Sequence, residues 1–317
     1  PLIFYNILKK KFTYANKDSL YILSLILFFS PYVRSSAVWL TTDNLGIILF
    51  GLAISKYLSF ENKTKNYFKY SLQCFFFLIL ASYTRQYYAI FFIIFFSLMF
   101  QKLRFRQIII IIIFNFLVAL PALVYIYFYI SQNSLLSDNS YITDYLKPNI
   151  FFNVLVFLSL CFFYFLPFLF NTLNKEKFIA LINEKKINIL IITVFFIFIF
   201  FYYDLPLSEF GGGIFYKISK IINIKLFYLF SFIGALFIFL ILNISLRNLT
   251  IYLLMIFCFP VVFIYQKYYD PLIYFVFFGL INADFLNENV LKNRFNIKFI
   301  YSYLIVFLLA TNIYYII

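Results

Sequence analysis

Four short polar stretches carry the residue types that could do chemistry in this chain, and all four interrupt strongly apolar sequence. The first runs Ser30-Pro31-Tyr32-Val33-Arg34 to Thr41-Thr42-Asp43-Asn44 and sets a carboxylate near a guanidinium. The second, Ser82-Tyr83-Thr84-Arg85-Gln86-Tyr87-Tyr88, leaves an Arg between two apolar runs. Charge there is expensive in lipid, about 2.5–3.5 kcal/mol on insertion scales, so Arg85 needs an anion: Asp43, another carboxylate, a lipid headgroup or a substrate phosphate. A guanidinium suits phosphate because its planar fork donates two parallel hydrogen bonds. The third, Tyr265-Gln266-Lys267-Tyr268-Tyr269-Asp270-Pro271, packs a cation, a carboxylate and three phenols into one turn. The fourth is Glu209-Phe210-Gly211-Gly212-Gly213, holding three of only 7 glycines, with Lys217 just beyond. Glycine there permits positive φ and a close backbone approach to a ligand.

Each stretch also has a plainer reading. Asp43-Asn44 can serve only as a helix N-cap after Pro31 ends the preceding helix. Trp39, the single Trp, fits an interfacial anchor. Arg85 can reach the headgroups, the Tyr265–Pro271 stretch can be a tight turn with belt aromatics, and the glycines can form a loop.

The elements that must position these residues are helices in a membrane. Hydrophobic residues make up 65% of the 317 and charged residues 12%, where a soluble domain carries roughly 25% charge. Apolar runs lie at approximately 19–31, 44–58, 70–83, 86–100, 107–130, 150–173, 187–203, 224–244, 249–265, 271–283 and 299–317. Backbone groups in lipid must bond internally, so each run is expected to be a helix. The expected fold is all-α: a single polytopic transmembrane domain over 1–317 with about eleven membrane segments. A full crossing takes about 20 residues, so the shorter runs are tilted, re-entrant or buried among others.

The basic residues fall in alternate gaps. One set of gaps holds 19 of the 26 Lys and Arg, among them Lys9–Lys11, Lys56–Lys69, Lys102–Arg106, Lys175–Lys186, Arg247 and Lys292–Lys298. The other set holds 7: Arg34, Arg85, Lys147, Lys217, Lys220, Lys225 and Lys267. The positive-inside rule makes the first set cytoplasmic and puts all four polar stretches on the outer face. Acidic residues divide equally, so the net charge of +14 reflects orientation and contact with anionic lipid, with no nucleic-acid partner implied. Parity makes 70–100 a hairpin with Arg85 at its tip and 19–58 another, with Arg34–Asp43 as its turn. A bacterial inner membrane is the expected location. The longest outer loops are 131–149, with Asp138, Asp144 and Lys147, and 203–223.

Much is excluded. There is no His, which removes the commonest general base and metal ligand. Cys74, Cys161 and Cys258 sit in apolar runs and are expected as buried free thiols. No phosphate-binding loop, dinucleotide fingerprint, nucleophile elbow or Cys/His metal spacing occurs. All 12 acidic residues sit in gaps or at run ends, which weakens a coupled transporter. The wealth of Phe, Ile, Asn and Lys follows an A+T-rich coding bias.

Over residues 19–100 the order Ser30-Pro31, Thr42-Asp43, a basic gap at Lys63 to Lys69, and Thr84-Arg85 resembles the GT-C superfamily of membrane glycosyltransferases that use polyprenyl-phosphate sugars. Arg85-Gln86 followed by aromatics is similar to the alpha-1,2-glucosyltransferases of the asparagine-linked glycan pathway. Lys267-Tyr268-Tyr269-Asp270-Pro271 is similar to the late "R-Y-x-x-P" turn of many such chains, with Lys in place of Arg. Residues 101–317 are then C-terminal helices. The resemblance implies a polyprenyl-phosphate sugar donor, a glycan, lipid or protein acceptor, membrane lipids as partners and, at most, a divalent cation as cofactor. It implies catalytic roles for Asp43 and Arg85, and substrate-binding roles for Arg34, Gln86, Lys267, Tyr268, Asp270, Glu209 and Lys217. The family carries its catalytic acid in a first outer loop. No such loop precedes residue 19, so the resemblance implies a fragment whose general base lies upstream of Pro1. A lipid-linked oligosaccharide flippase or other membrane transporter, another polyprenyl-sugar enzyme such as an O-antigen polymerase or ligase, and a non-catalytic membrane subunit are the alternatives.

Overall fold

The computed structural model describes residues 1–39, 41–62, 66–132, 149–169, 175–207, 211–241, 245–259, 261, 264–282 and 294–316. Among these the secondary structure is helical throughout, with no strand. In chain order the helices are α1 (Leu2–Lys11), α2 (Lys17–Ser24), α3 (Pro31–Val38), α4 (Asp43–Asn62), α5 (Tyr67–Thr84), α6 (Phe92–Met99), α7 (Phe105–Gln132), α8 (Ile150–Leu169), α9 (Lys175–Glu184), α10 (Lys186–Tyr202), α11 (Gly213–Ile222), α12 (Leu226–Ile241), α13 (Leu246–Phe257), α14 (Gln266–Tyr269), α15 (Leu272–Gly279) and α16 (Arg294–Ile316). Tight 3-10 turns extend α2 through Leu25–Phe29 and precede α6 as Gln86–Phe91.

A helix lies on every apolar run, but few are long. Phe105–Tyr125 and Ile150–Phe168 are long and apolar enough to cross a membrane, and the pair Lys17–Phe29 with Pro31–Val38, bent by 64°, makes a third if it is one span. These two long helices differ in setting: only 6% of the Phe105–Tyr125 window is buried in the chain, against 67% of Ile150–Phe168. The first presents Ile, Phe and Leu outward along its length. The second is a central post, with Phe152, Leu155, Val156 and Cys161 fully enclosed.

Aromatic rings fill the interior, as the 50 Phe and 29 Tyr require. Phe75 of α5 stacks on Phe96 at 4.4 Å and on Phe92 at 5.8 Å, closing the α5–α6 hairpin. Phe165 of α8 meets Phe277 of α15 at 4.1 Å. Such offset and edge contacts add about 0.5–1.5 kcal/mol each beyond burial. Cys74, Cys161 and Cys258 are buried and unpaired.

The break at Arg85 forms as parity requires: α5 stops at Thr84, Arg85 is extended (φ −148°, ψ 114°), and the chain turns into Gln86–Phe91. The stretch expected as a turn between Arg34 and Asp43 is instead largely helix. Pro31 opens α3 rather than closing the helix before it, because a proline at the first helical position lacks an N–H that would have no partner there. The Ser30 hydroxyl caps α3 by accepting from the Val33 N–H at 3.1 Å. Asn44 then donates to the Val33 carbonyl at 3.0 Å, fixing α3 against the start of α4.

Two groups of charged residues stand apart at opposite ends of α4. At one end Lys10, on α1, donates to the Ser55 carbonyl and to the Ser55 and Ser59 hydroxyls, each at 2.7 Å. Arg247, at the start of α13, pairs with Glu61 at 2.7 Å, donates to the Leu280 carbonyl at 2.9 Å and lies over the Tyr57 ring. Lys11 donates to Asn282 at 2.7 Å. Asp43, Arg85 and the Lys267–Asp270 segment meet at the other end.

Candidate functional site

At that second end lies a half-open cavity of about 720 Å³. Its lining comes from α3, the start of α4, the hairpin tip after α5, the segment following α13, and α14 with the start of α15. Of the sequence candidates, Asp43, Arg85, Gln86, Lys267, Tyr268 and Asp270 all line it.

The ion pair is its polar centre. Arg85 Nε lies 2.6 Å from Asp43 Oδ1, with both side chains roughly half exposed (40% and 47%). Thr41 donates its hydroxyl to Asp43 Oδ2 at 3.2 Å, so each carboxylate oxygen has a partner. Although Asp43 sits in the first turn of α4, its carboxylate reaches across to α5, which settles the choice between a cap and a charge partner in favour of the partner. Gly46 makes that reach possible. A Cβ there would stand 2.8 Å from Thr84 Oγ1 and 2.9 Å from Tyr88 Cε2, so any larger residue would push the hairpin tip off α4. An exposed pair of this kind contributes about 0–1 kcal/mol to stability. Holding Arg85 in place is its larger effect, since the two terminal guanidinium nitrogens keep no partner among the described residues.

An aromatic wall joins the hairpin tip to the late segment. Phe50, Tyr88, Tyr87, Phe259 and Tyr268 follow one another with ring centroids 4.9, 4.5, 4.7 and 5.1 Å apart. Lys267 stands at its outer end, over the Tyr265 and Tyr268 rings at 5.3 and 5.7 Å, and forms no ion pair among the described residues. The Cys258 thiol donates weakly to the Tyr87 carbonyl at 3.5 Å and completes the seam. Tyr87 and Tyr88 stood within a candidate stretch; Cys258 and Phe259 lie inside an apolar run and carry no sequence signal for a site.

Asp270 has a different environment. It is 3% exposed, beneath the cavity. The Ser30 and Tyr164 hydroxyls bond to its carboxylate, while Oδ1 has no hydrogen-bond partner among the described residues. Burial pushes its pKa up to about 7, with the Ser30 and Tyr164 hydrogen bonds pulling it back. Tyr164 in turn accepts from Gln266 Nε2 at 3.0 Å, and Gln266 Oε1 accepts from the Ile214 N–H at 3.1 Å.

The glycine triplet serves this framework. Gly211, Gly212 and Gly213 have φ of 78°, 79° and 75°, a region open to glycine and strained for other residues. The Gly212 N–H donates to the Ile264 carbonyl at 2.7 Å. The close backbone approach expected of a ligand is thus made by the chain's own late segment.

Two candidates lie outside the cavity. Tyr32, Ser35 and Ser36 recur at helical spacing and line it, whereas Arg34 falls between them on the exposed side of α3. Lys217 is on the outer side of α11, whose buried face is Gly213, Tyr216 and Ser219. Glu209, with Asp138, Asp144 and Lys147, falls outside the described residues. No group of three or more Cys, Asp or Glu able to hold a metal occurs among the described residues.

No family model, no curated protein and no solved structure matches this chain.

Proposed function

We propose that the cavity is the active site of a membrane glycosyltransferase that takes a sugar from a polyprenyl-phosphate donor and passes it to an acceptor hydroxyl on the extracytoplasmic side. One observation carries the reading: three stretches far apart in sequence converge on one opening that combines a fixed guanidinium, a lysine with no ion pair among the described residues and a continuous aromatic wall. In the proposed arrangement Arg85 and Lys267 face the donor phosphate, where negative charge grows as the sugar leaves. Asp43 keeps Arg85 oriented, and the aromatic wall receives apolar faces of the donor.

The membrane setting of this reading is a bundle in which the eleven apolar runs thread between two charged ends. α4 supports it, since Asp43 and Glu61 mark its two ends and lie about 27 Å apart at 1.5 Å per residue, close to one hydrocarbon core. Trp39, 77% exposed beside the cavity, fits the interface. The basic end is then cytoplasmic. A flippase needs a polar route between the two ends, whereas Phe50, Phe75, Phe91 and Phe95 of α4, α5 and the segment after Arg85 are fully buried rings.

The test is transfer by the full-length protein in lipid nanodiscs, supplied with polyprenyl-phosphate glucose, mannose or arabinose. Arg85→Ala and Asp43→Asn are expected to lower transfer at least 100-fold, about 2.7 kcal/mol of transition-state stabilisation, while membrane insertion is retained. Wild-type transfer rates in both variants would remove this site.

A further inference from the structure

The cavity contains two carboxyl groups, and their surroundings assign them different work. Asp43 is matched in charge by Arg85, with both oxygens engaged. Asp270 is enclosed, faces no cation among the described residues, and keeps one oxygen unpartnered. A buried acceptor atom left without a donor costs about 1–3 kcal/mol; six other buried side-chain atoms among the described residues share that state, and Asp270 Oδ1 is the one that belongs to a carboxyl group lining the cavity. Asp270 also belongs to the one segment that supplies Lys267 and Tyr268 to the opening.

We propose that Asp270 is the proton acceptor of this cavity, its carboxylate receiving the proton of the incoming acceptor hydroxyl. This rests on the glycosyl-transfer reading and adds to it the group that activates the acceptor. In the step, the acceptor O–H breaks and its proton passes to Asp270. The freed oxygen pair forms the new bond to the anomeric carbon, and the sugar–phosphate C–O bond breaks with its electron pair staying on the phosphate oxygen, opposite Arg85 and Lys267. Asp270 then loses the proton to water.

The surroundings fit that cycle. The groups facing Asp270 are the Ser30 hydroxyl before α3, the Tyr164 phenol on α8 and the Tyr274 phenol on α15, all neutral near pH 7. Burial favours the protonated carboxyl, and the two hydroxyls limit that effect, leaving a group that both takes up and releases a proton near neutrality. The Tyr164–Gln266–Ile214 chain holds Tyr164 so that its O–H can remain on the carboxylate.

The experiment compares wild type, Asp270→Asn and Asp270→Glu as full-length protein in nanodiscs, with polyprenyl-phosphate glucose, mannose and arabinose as donors, across pH 5.5–9. Because the carboxylate form is the active one, wild-type kcat is expected to rise about tenfold per pH unit up to about 7 and then level. Asp270→Asn is expected to lower kcat at least 100-fold, with donor KM within threefold and the acid limb gone from the residual rate. Asp270→Glu is expected to recover part of the rate with its acid limb displaced. Wild type inactive on every donor overturns both the transferase reading and this assignment. An active wild type with an Asn variant that keeps its acid limb, at full rate or with a matching rise in KM, overturns the assignment alone. If the Asn variant fails to insert, the Glu variant decides, and an acid limb left in the wild-type position overturns the proposal.

Discussion

α4 carries an acid at each end, and the two are treated in opposite ways. Glu61 is held on one oxygen: Arg247 pairs with its Oε1 at 2.7 Å, Tyr57 donates to the same oxygen at 3.1 Å, and the Glu61 and Arg247 side chains are 31% and 14% exposed. Neighbouring amides close the region, with Asn248 and Asn282 exchanging hydrogen bonds at 2.8 and 3.0 Å. Asp43 meets one cation at the edge of an open cavity, and both partners remain about half exposed. An ion pair tied by further hydrogen bonds to Tyr57 and to the Leu280 carbonyl fixes the segments around it. A pair left open keeps a cation ready for a ligand. Similar chemistry is therefore structural at one end and available at the other.

The largest effect that could break this comparison is in transfer. Arg85→Ala is expected to remove activity while changing the thermal midpoint little, because a half-exposed pair contributes about 1 kcal/mol or less. A second test exchanges the two roles. Glu61→Ala should destabilise the fold by about 2 kcal/mol, since it leaves Arg247 and the Tyr57 hydroxyl poorly paired; the partial exposure keeps this below the 3–5 kcal/mol of a fully buried pair. Thermal melting in detergent measures it, and the folded fraction should retain its specific activity. Equal destabilisation by both substitutions would erase the contrast. Next in size, Gly46→Val should separate the hairpin tip from α4 and lower transfer about tenfold without touching a charged group, an effect of about 1.4 kcal/mol. A Gly46→Val variant with full kcat would show that the 2.6 Å contact is dispensable. Smallest of all, Lys217→Ala is expected to change transfer less than twofold, because Lys217 stands on the outer side of α11.

Much of this arrangement was legible in the residues. The polar stretches that hold Asp43, Arg85 and Lys267 were singled out from the residues, and the structure brings those three to one cavity. Arg85 marked the hairpin tip because an uncompensated guanidinium does not persist inside a long apolar helix. Other parts were hidden by ambiguity in local signals. Pro31 reads as a stop or a start, and only the Ser30 cap decides for a start. The triplet Gly211–Gly213 announces positive φ but not what approaches it. Phe259 is one ring among many, and its place between Tyr87 and Tyr268 depends on packing between segments more than 170 residues apart. Helix lengths also escaped the hydropathy pattern, since runs such as 86–100 and 271–283 yield only the short α6 and α15.

The central helix α4 has a mechanical consequence. It is an unbroken rod fastened at its foot by Glu61 to Arg247, with Lys10 beside it clasping Ser55 and Ser59. In the proposed bilayer setting, carrying the Asp43 mouth to the opposite side would mean uprooting that whole foot. Under that proposal the mouth stays moored to one face, and its substrates reach it from that side.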